Sequence, residues 1–119
     1  VTDINDFAAR YAAVWNEPEP AARRKAIADL WAEDAVEFTE ENHYQGYDAL
    51  EVRVAHAYEE FVAKGGFVFE LAGKPLSHHD AVSFTTNMVA GSEIAWTGDV
   101  FVLLNEKGKI RFDYQFAVS

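Results

Sequence analysis

The chain has 119 residues, a formal net charge of −10 from twenty acids against ten lysines and arginines, and no cysteine. That length fits one domain over residues 1–119. The missing cysteines exclude a disulfide framework, a thiolate nucleophile and any thiolate-held zinc or iron–sulfur centre, and they fit a cytoplasmic protein. The acidic balance argues against nucleic acid, which needs a basic footprint. No apolar run approaches the roughly 18 residues of a membrane-spanning helix. Half of the residues are hydrophobic, so a packed core is within reach without covalent staples.

The first 65 residues read as helical and the remainder as strands. Residues 3–16 form an amphipathic helix, because Ile4, Phe7, Ala8, Tyr11, Ala12 and Trp15 recur at three- and four-residue steps. Thr2 or Asp3 is its expected cap. Pro18 and Pro20 end it, and Pro20 suits the first turn of a second helix running to Trp31. Ala26, Ile27, Leu30 and Trp31 point inward there, and Arg23, Arg24 and Lys25 make up the wet face. Glu33 and Asp34 break the pattern before a short strand over 35–39. On that strand Ala35, Glu37 and Thr39 share one side, and Val36 and Phe38 share the other.

Residues 40–44 read as loop, and a third helix runs over 47–64 with Leu50, Val54, Ala57, Tyr58 and Phe61 on its apolar side. Gly65-Gly66 stops it. Four strands follow: 67–77 with a bend at Gly73-Lys74-Pro75, then 81–89, 93–104 and 109–118. The last three are joined by tight turns and form an antiparallel meander. Helices followed by such strands give an α+β layout: three N-terminal helices packed on a strongly curved, mostly antiparallel sheet, a cone with an internal pocket.

Several segments carry a family resemblance. They are Arg10-Tyr11, Leu30-Trp31-Ala32-Glu33-Asp34-Ala35-Val36, Tyr44-Gln45-Gly46 with Ala49-Leu50, and Asn105-Glu106-Lys107-Gly108-Lys109-Ile110. In this order and spacing the chain resembles the nuclear-transport-factor-two-like superfamily with its cystatin-like cone, in the branch of ketosteroid isomerases and SnoaL-like polyketide cyclases. The resemblance implies a homodimer through the outer face of the sheet and no metal or organic cofactor. It places Tyr11 where the isomerases hold the tyrosine that hydrogen-bonds a developing oxyanion. It places Thr39 where they hold the Asp base, and Thr is no general base near neutral pH. The inward position on the long strand falls on Val100, with Asp99 outward. The standard ketosteroid isomerase mechanism is therefore not expected.

Other polar residues fall on the expected inside. Glu37 shares the face of Thr39, and a carboxylate there is a candidate base with a raised pKa. Alternation puts Asp113, Gln115 and Ala117 on one face of the last strand and Phe112, Tyr114 and Phe116 on the other, and the resemblance implies that the Asp113 face is the inward one. A buried Asp113 needs a partner or a proton. Arg53 interrupts the apolar side of the third helix and is expected either to pair with Asp113 or Glu37 or to snorkel to the rim. His56 is a candidate at the mouth. Phe84, Thr86, Met88, Trp96, Val100 and Val102 are expected around the ligand.

His78-His79-Asp80 resembles a metal motif. However, adjacent strand residues point to opposite faces, so no metal site is expected. There is no Gly-rich phosphate loop and no nucleophile elbow.

Three functions compete. The first is a cofactor-independent isomerase, cyclase or hydrolase acting on a small hydrophobic carbonyl compound. In it Asp113 is acid/base, Arg53 its orienter, Tyr11 the oxyanion donor and Glu37 an auxiliary carboxylate. The second is a non-catalytic binder of a small hydrophobic molecule. The third is a dimeric interaction module with a filled cavity. The outward stripe Phe112, Tyr114 and Phe116 needs cover, and a sheet-to-sheet homodimer would supply it.

Overall fold

A computed structural model describes residues 3–118. Helix α1 spans Ile4–Asn16, with Asp3 as its cap: the Asp3 carboxylate accepts from the amides of Asn5 and Asp6. Thr2, the other expected cap, lies outside the described residues. Helix α2 spans Pro20–Leu30, and α3 spans Gly46–Ala57. The third helix does not run on as α to Lys64. It widens into a π-helical turn over Tyr58–Ala63.

Arg23 departs from the expected wet face. It is buried, and its guanidinium donates to the carbonyls of Glu17 and Pro18 beneath the Tyr58 ring. It thus satisfies carbonyls left open where α1 ends.

The strands are β1 (Trp31–Phe38), β2 (His43–Gln45), β3 (Val68–His78), β4 (Ala81–Ala90), β5 (Glu93–Leu104) and β6 (Ile110–Ala117). Glu33-Asp34 is not the expected break. The strand begins at Trp31 and passes through these two residues, and the irregularity is absorbed as a register shift between Trp31 and Val36. Part of the expected 40–44 loop is the short strand β2.

The six strands form one open sheet in the order β2-β1-β6-β5-β4-β3. Every pairing is antiparallel except β1 with β6, which is parallel. Register shifts interrupt the β3–β4, β4–β5 and β5–β6 ladders as well, and bulges of this kind bend a sheet. The three helices cover its concave face. Asn16 ties the end of α1 to β3 like an extra strand residue: its amide nitrogen donates to the Phe69 carbonyl, and its oxygen accepts from the Phe69 amide.

The core lies between the helices and the half of the sheet around Ile110. It contains Phe7, Tyr11, Ile27, Leu30, Trp31, Leu50, Val54, Phe84 and Val102. Toward the other end the layers part and leave an opening. No helix among the described residues is long and apolar enough to cross a membrane.

Gly98 shapes that opening. It is buried on β5, and the Trp96 ring folds directly over it, so that a Cβ at this position would fall on the ring. Gly98→Ala is therefore expected to push Trp96 off its seat at a cost of about 1–3 kcal/mol. Urea denaturation followed by tryptophan fluorescence measures both the loss and the altered indole environment.

Candidate functional site

The opening is a cavity of about 430 Å³. Its apolar wall includes Ala12 and Trp15 from α1, Ala57 and Phe61 after α3, and Phe69, Met88, Trp96 and Val100 from the sheet. Its polar side includes Tyr11, Arg53, Gln115 and Thr86, with Thr39, Glu41, Asn42 and Tyr44 from the β1–β2 connection.

Two carboxylates lie directly behind the polar side. Glu37 and Asp113 are partners across the parallel β1–β6 ladder, and both are fully buried. Like charges directly opposite one another repel. The surroundings separate their roles. Glu37 is tied at both oxygens: Arg53 Nε donates to Oε1 at 3.0 Å, and Gln115 Nε2 donates to Oε2 at 2.6 Å. The Arg53 guanidinium is held over both Trp15 and Tyr44, at 5.4 Å from each ring centre, and also makes a long contact to Gln115 Oε1.

Asp113 has no cation against it. Its Oδ2 lies 2.7 Å from the Tyr11 hydroxyl, and its Oδ1 has no hydrogen-bond partner among the described residues. Burial, and after it the charge of Glu37, pushes the Asp113 pKa well up, against smaller opposing effects from Tyr11, the Trp31 indole and Arg53. Burial also raises Glu37, with Arg53 pulling it back. The Arg53 contact thus favours the ionised form of Glu37, and burial without a cation favours the protonated form of Asp113.

That protonation sets the direction of the chain. An ionised Asp113 would take the Tyr11 proton for itself. The Tyr11 hydroxyl donates to Asp113 Oδ2 and accepts from Gln115 Nε2 at 2.8 Å; a protonated Asp113 can reverse the first bond and donate to Tyr11 Oη instead. In that reversed arrangement the phenol proton is free to point into the cavity. Burial, reinforced by the nearby carboxylates, holds the Tyr11 pKa well above the ordinary phenol value. Tyr11 is therefore a donor and not a base.

The sequence-derived residues fall into three groups. Tyr11, Thr39, Arg53, Thr86, Met88, Trp96, Val100 and Gln115 border the cavity. Glu37 and Asp113 stand behind it, so Asp113 is not placed to touch a ligand as the expected acid/base. Arg53 orients Glu37 and not Asp113. The remaining residues correct the expectation outright. His56 is exposed and does not line the cavity, while Phe84 and Val102 are packed into the core.

Sequence reasoning missed Glu41, Asn42 and Tyr44. The connection holding them has no periodic signal and reads as loop, although Thr39 and Asn42 stand at the spacing of a hydroxyl-closed turn.

His78 and His79 also differ from expectation. His79 leaves the strand at a positive φ of 53°, which brings the two Nδ1 atoms to 3.2 Å instead of to opposite faces. No group of three or more His, Asp or Glu side chains suited to a metal occurs among the described residues.

Removing Arg53, the one cation bordering the cavity among the described residues, leaves Glu37 buried without a charge partner. Arg53→Met is expected to cost about 3–5 kcal/mol at pH 7. The sign follows from linkage. Without Arg53 the native pKa of Glu37 rises further above its unfolded value, so the unfolded chain sheds that proton first as the pH climbs. The penalty is therefore small near pH 4 and full at neutrality. Urea midpoints of wild type and variant across that range check it.

No family model matches the chain, and no curated protein does. Solved structures do. A proposed isomerase of the SnoaL-like family from Agrobacterium tumefaciens superposes with a TM-score of 0.87 at 25% identity, covering 97% of each chain. A SnoaL-like protein of unknown function from Burkholderia thailandensis gives 0.76 at 12% identity, covering 100% of this chain and 99% of that one. A proposed polyketide cyclase from Sinorhizobium meliloti gives 0.68 at 17% identity, covering 92% and 93%. Other similar structures are described as nuclear-transport-factor-two-like or as having a cystatin-like fold. The chain has the SnoaL-like, nuclear-transport-factor-two-like cone fold.

Proposed function

We propose that the protein enolises a small hydrophobic carbonyl compound, as an isomerase or cyclase working by proton transfer alone. The observation that carries this reading is the Tyr11 hydroxyl. It borders an otherwise largely apolar cavity, and its oxygen is held by Asp113 and Gln115. A carbonyl oxygen placed on that phenol gains negative charge as its α-proton leaves. A preorganised donor in a dry site stabilises that charge far more than water does. Proton transfer of this kind needs an acid and a base and no further group. The SnoaL-like isomerase and the polyketide cyclase among the structural neighbours support the same class.

A non-catalytic binder is the second reading, and one observation favours it. Both buried carboxylates are screened from the cavity, so neither can take a proton from a ligand. The two readings separate on Tyr11→Phe. Under the catalytic reading, removing the hydroxyl slows α-proton exchange of a bound cyclic ketone by about 100- to 1,000-fold. Binding changes far less. Exchange at the wild-type rate in Tyr11→Phe overturns the catalytic reading.

A homodimer through the convex face of the sheet belongs to the same proposal. Part of the aromatic stripe is covered within the chain. Tyr114 stacks on Phe38 at 4.9 Å, and Arg111 lies over Phe112 at 4.3 Å. Phe116 remains half exposed, with Phe101 nearby on the same face. Phe116→Glu is expected to shift the protein from dimer to monomer in sedimentation velocity at micromolar concentration.

A further inference from the structure

Enolisation requires a base that touches the substrate, and the buried carboxylates do not. Glu37 and Asp113 have no exposed surface and do not border the cavity. Thr39 cannot serve. Tyr11 keeps its proton. Among the described residues, the one carboxylate that borders the cavity is Glu41.

Its placement is built into the turn. The Thr39 amide donates to the Asn42 carbonyl at 2.9 Å, and the Thr39 hydroxyl accepts from the Asn42 amide at 3.1 Å. This closes residues 39–42 into a tight loop at the mouth. The two acids inside that loop are treated differently. Glu40 is committed, since its Oε1 accepts from the Ala117 amide. Glu41 is exposed at the mouth and has no hydrogen-bond or ion-pair partner among the described residues. Arg53, the nearest cation bordering the cavity, is already spent on Glu37.

We infer that Glu41 is the general base that removes the α-proton of the carbonyl compound bound on Tyr11. This rests on the enolisation reading above. The span is suitable. A hydrogen bond to Tyr11, two covalent bonds from carbonyl oxygen to α-carbon, and a transfer contact to Glu41 together cover roughly 8 Å. A 430 Å³ cavity taken as a sphere is roughly 9 Å across.

In the step, a Glu41 oxygen forms a bond to the α-proton. The C–H electron pair moves into the bond between the α-carbon and the carbonyl carbon. The carbonyl π pair moves onto the oxygen, where the Tyr11 O–H holds it. Glu41 then returns a proton to the same or a conjugated carbon, and no other reactant enters. Because Glu41 stands at the mouth, its acquired proton exchanges with solvent before it is returned.

The test uses the full chain with β-tetralone, a fused bicyclic ketone with acidic α-protons. Binding is read by quenching of the cavity tryptophans, and α-deuteration is followed by proton NMR in heavy water. The expected result is exchange by wild type well above buffer. In Glu41→Gln, binding should stay within twofold while exchange falls by about 100-fold or more. Glu41→Asp should recover part of the rate. If Glu41→Gln exchanges at the wild-type rate while Tyr11→Phe is slowed, the role of Glu41 is overturned and the enolisation reading stands. If wild type fails to bind the ketone, or binds it without exchange, both are overturned.

Discussion

Two acids are forced side by side in the interior by the one parallel strand pairing among the described residues. Glu37 and Asp113 face each other across β1 and β6 with one guanidinium between them and the solvent. One positive charge can balance one carboxylate, so burial and its neighbour push the second toward its protonated form. The rest of the polar side follows from that. Gln115 bridges the charged half to the neutral half, because a primary amide can donate to Glu37 and Tyr11 while its oxygen faces Arg53. The phenol lies between the two, accepting from the Gln115 amide and donating to Asp113 Oδ2.

The cavity is consequently divided by chemistry as well as by shape. Its deep side offers donors: the Tyr11 hydroxyl, the Arg53 guanidinium and the Gln115 amide. Its walls are aromatic and aliphatic, and an acceptor waits at the rim. Under the proposed function, that gradient would orient a carbonyl compound with its oxygen inward and its carbon skeleton against Trp15, Phe69, Met88 and Trp96. The indole N–H of Trp15 adds a buried donor without a partner among the described residues. The buried carboxylates act at one remove, by fixing the state and direction of the donors, and this is why their own burial is tolerable.

Much of the fold was legible because it rests on local periodicity. The three-four spacing of α1 and the alternation on β4 and β6 put Tyr11, Thr86 and Gln115 on the correct sides. What alternation cannot supply is depth. Asp113 and Gln115 share a face, yet one is behind the cavity wall and the other forms it. Val102 and Val100 likewise share parity, but only Val100 reaches the opening. Depth depends on where the helices part from the sheet, which is a property of the assembled layers. The loop acid was missed for a related reason. Glu41 follows no period, and its position comes from a turn closed by a single hydroxyl. Arg23 was misread because a charged residue on a polar helix face gives no sign of the open carbonyls it will meet from another helix.

The place of β6 in the sheet also bears on how the molecule is made. It is the last strand in the chain order, yet it lies between β1 and β5, and it carries Asp113 and Gln115 to partners about eighty to one hundred residues earlier. Contacts that distant in sequence form slowly, because a long loop must close before they contribute. Without β6, β1 and β5 would face each other across an unfilled slot with two unpaired strand edges, and Glu37 and Arg53 would lack Gln115. Only insertion of β6 seals the slot. The donor chain and the cavity it serves therefore come into being in one late step, and a nascent molecule that stalls before it exposes both edges to its neighbours.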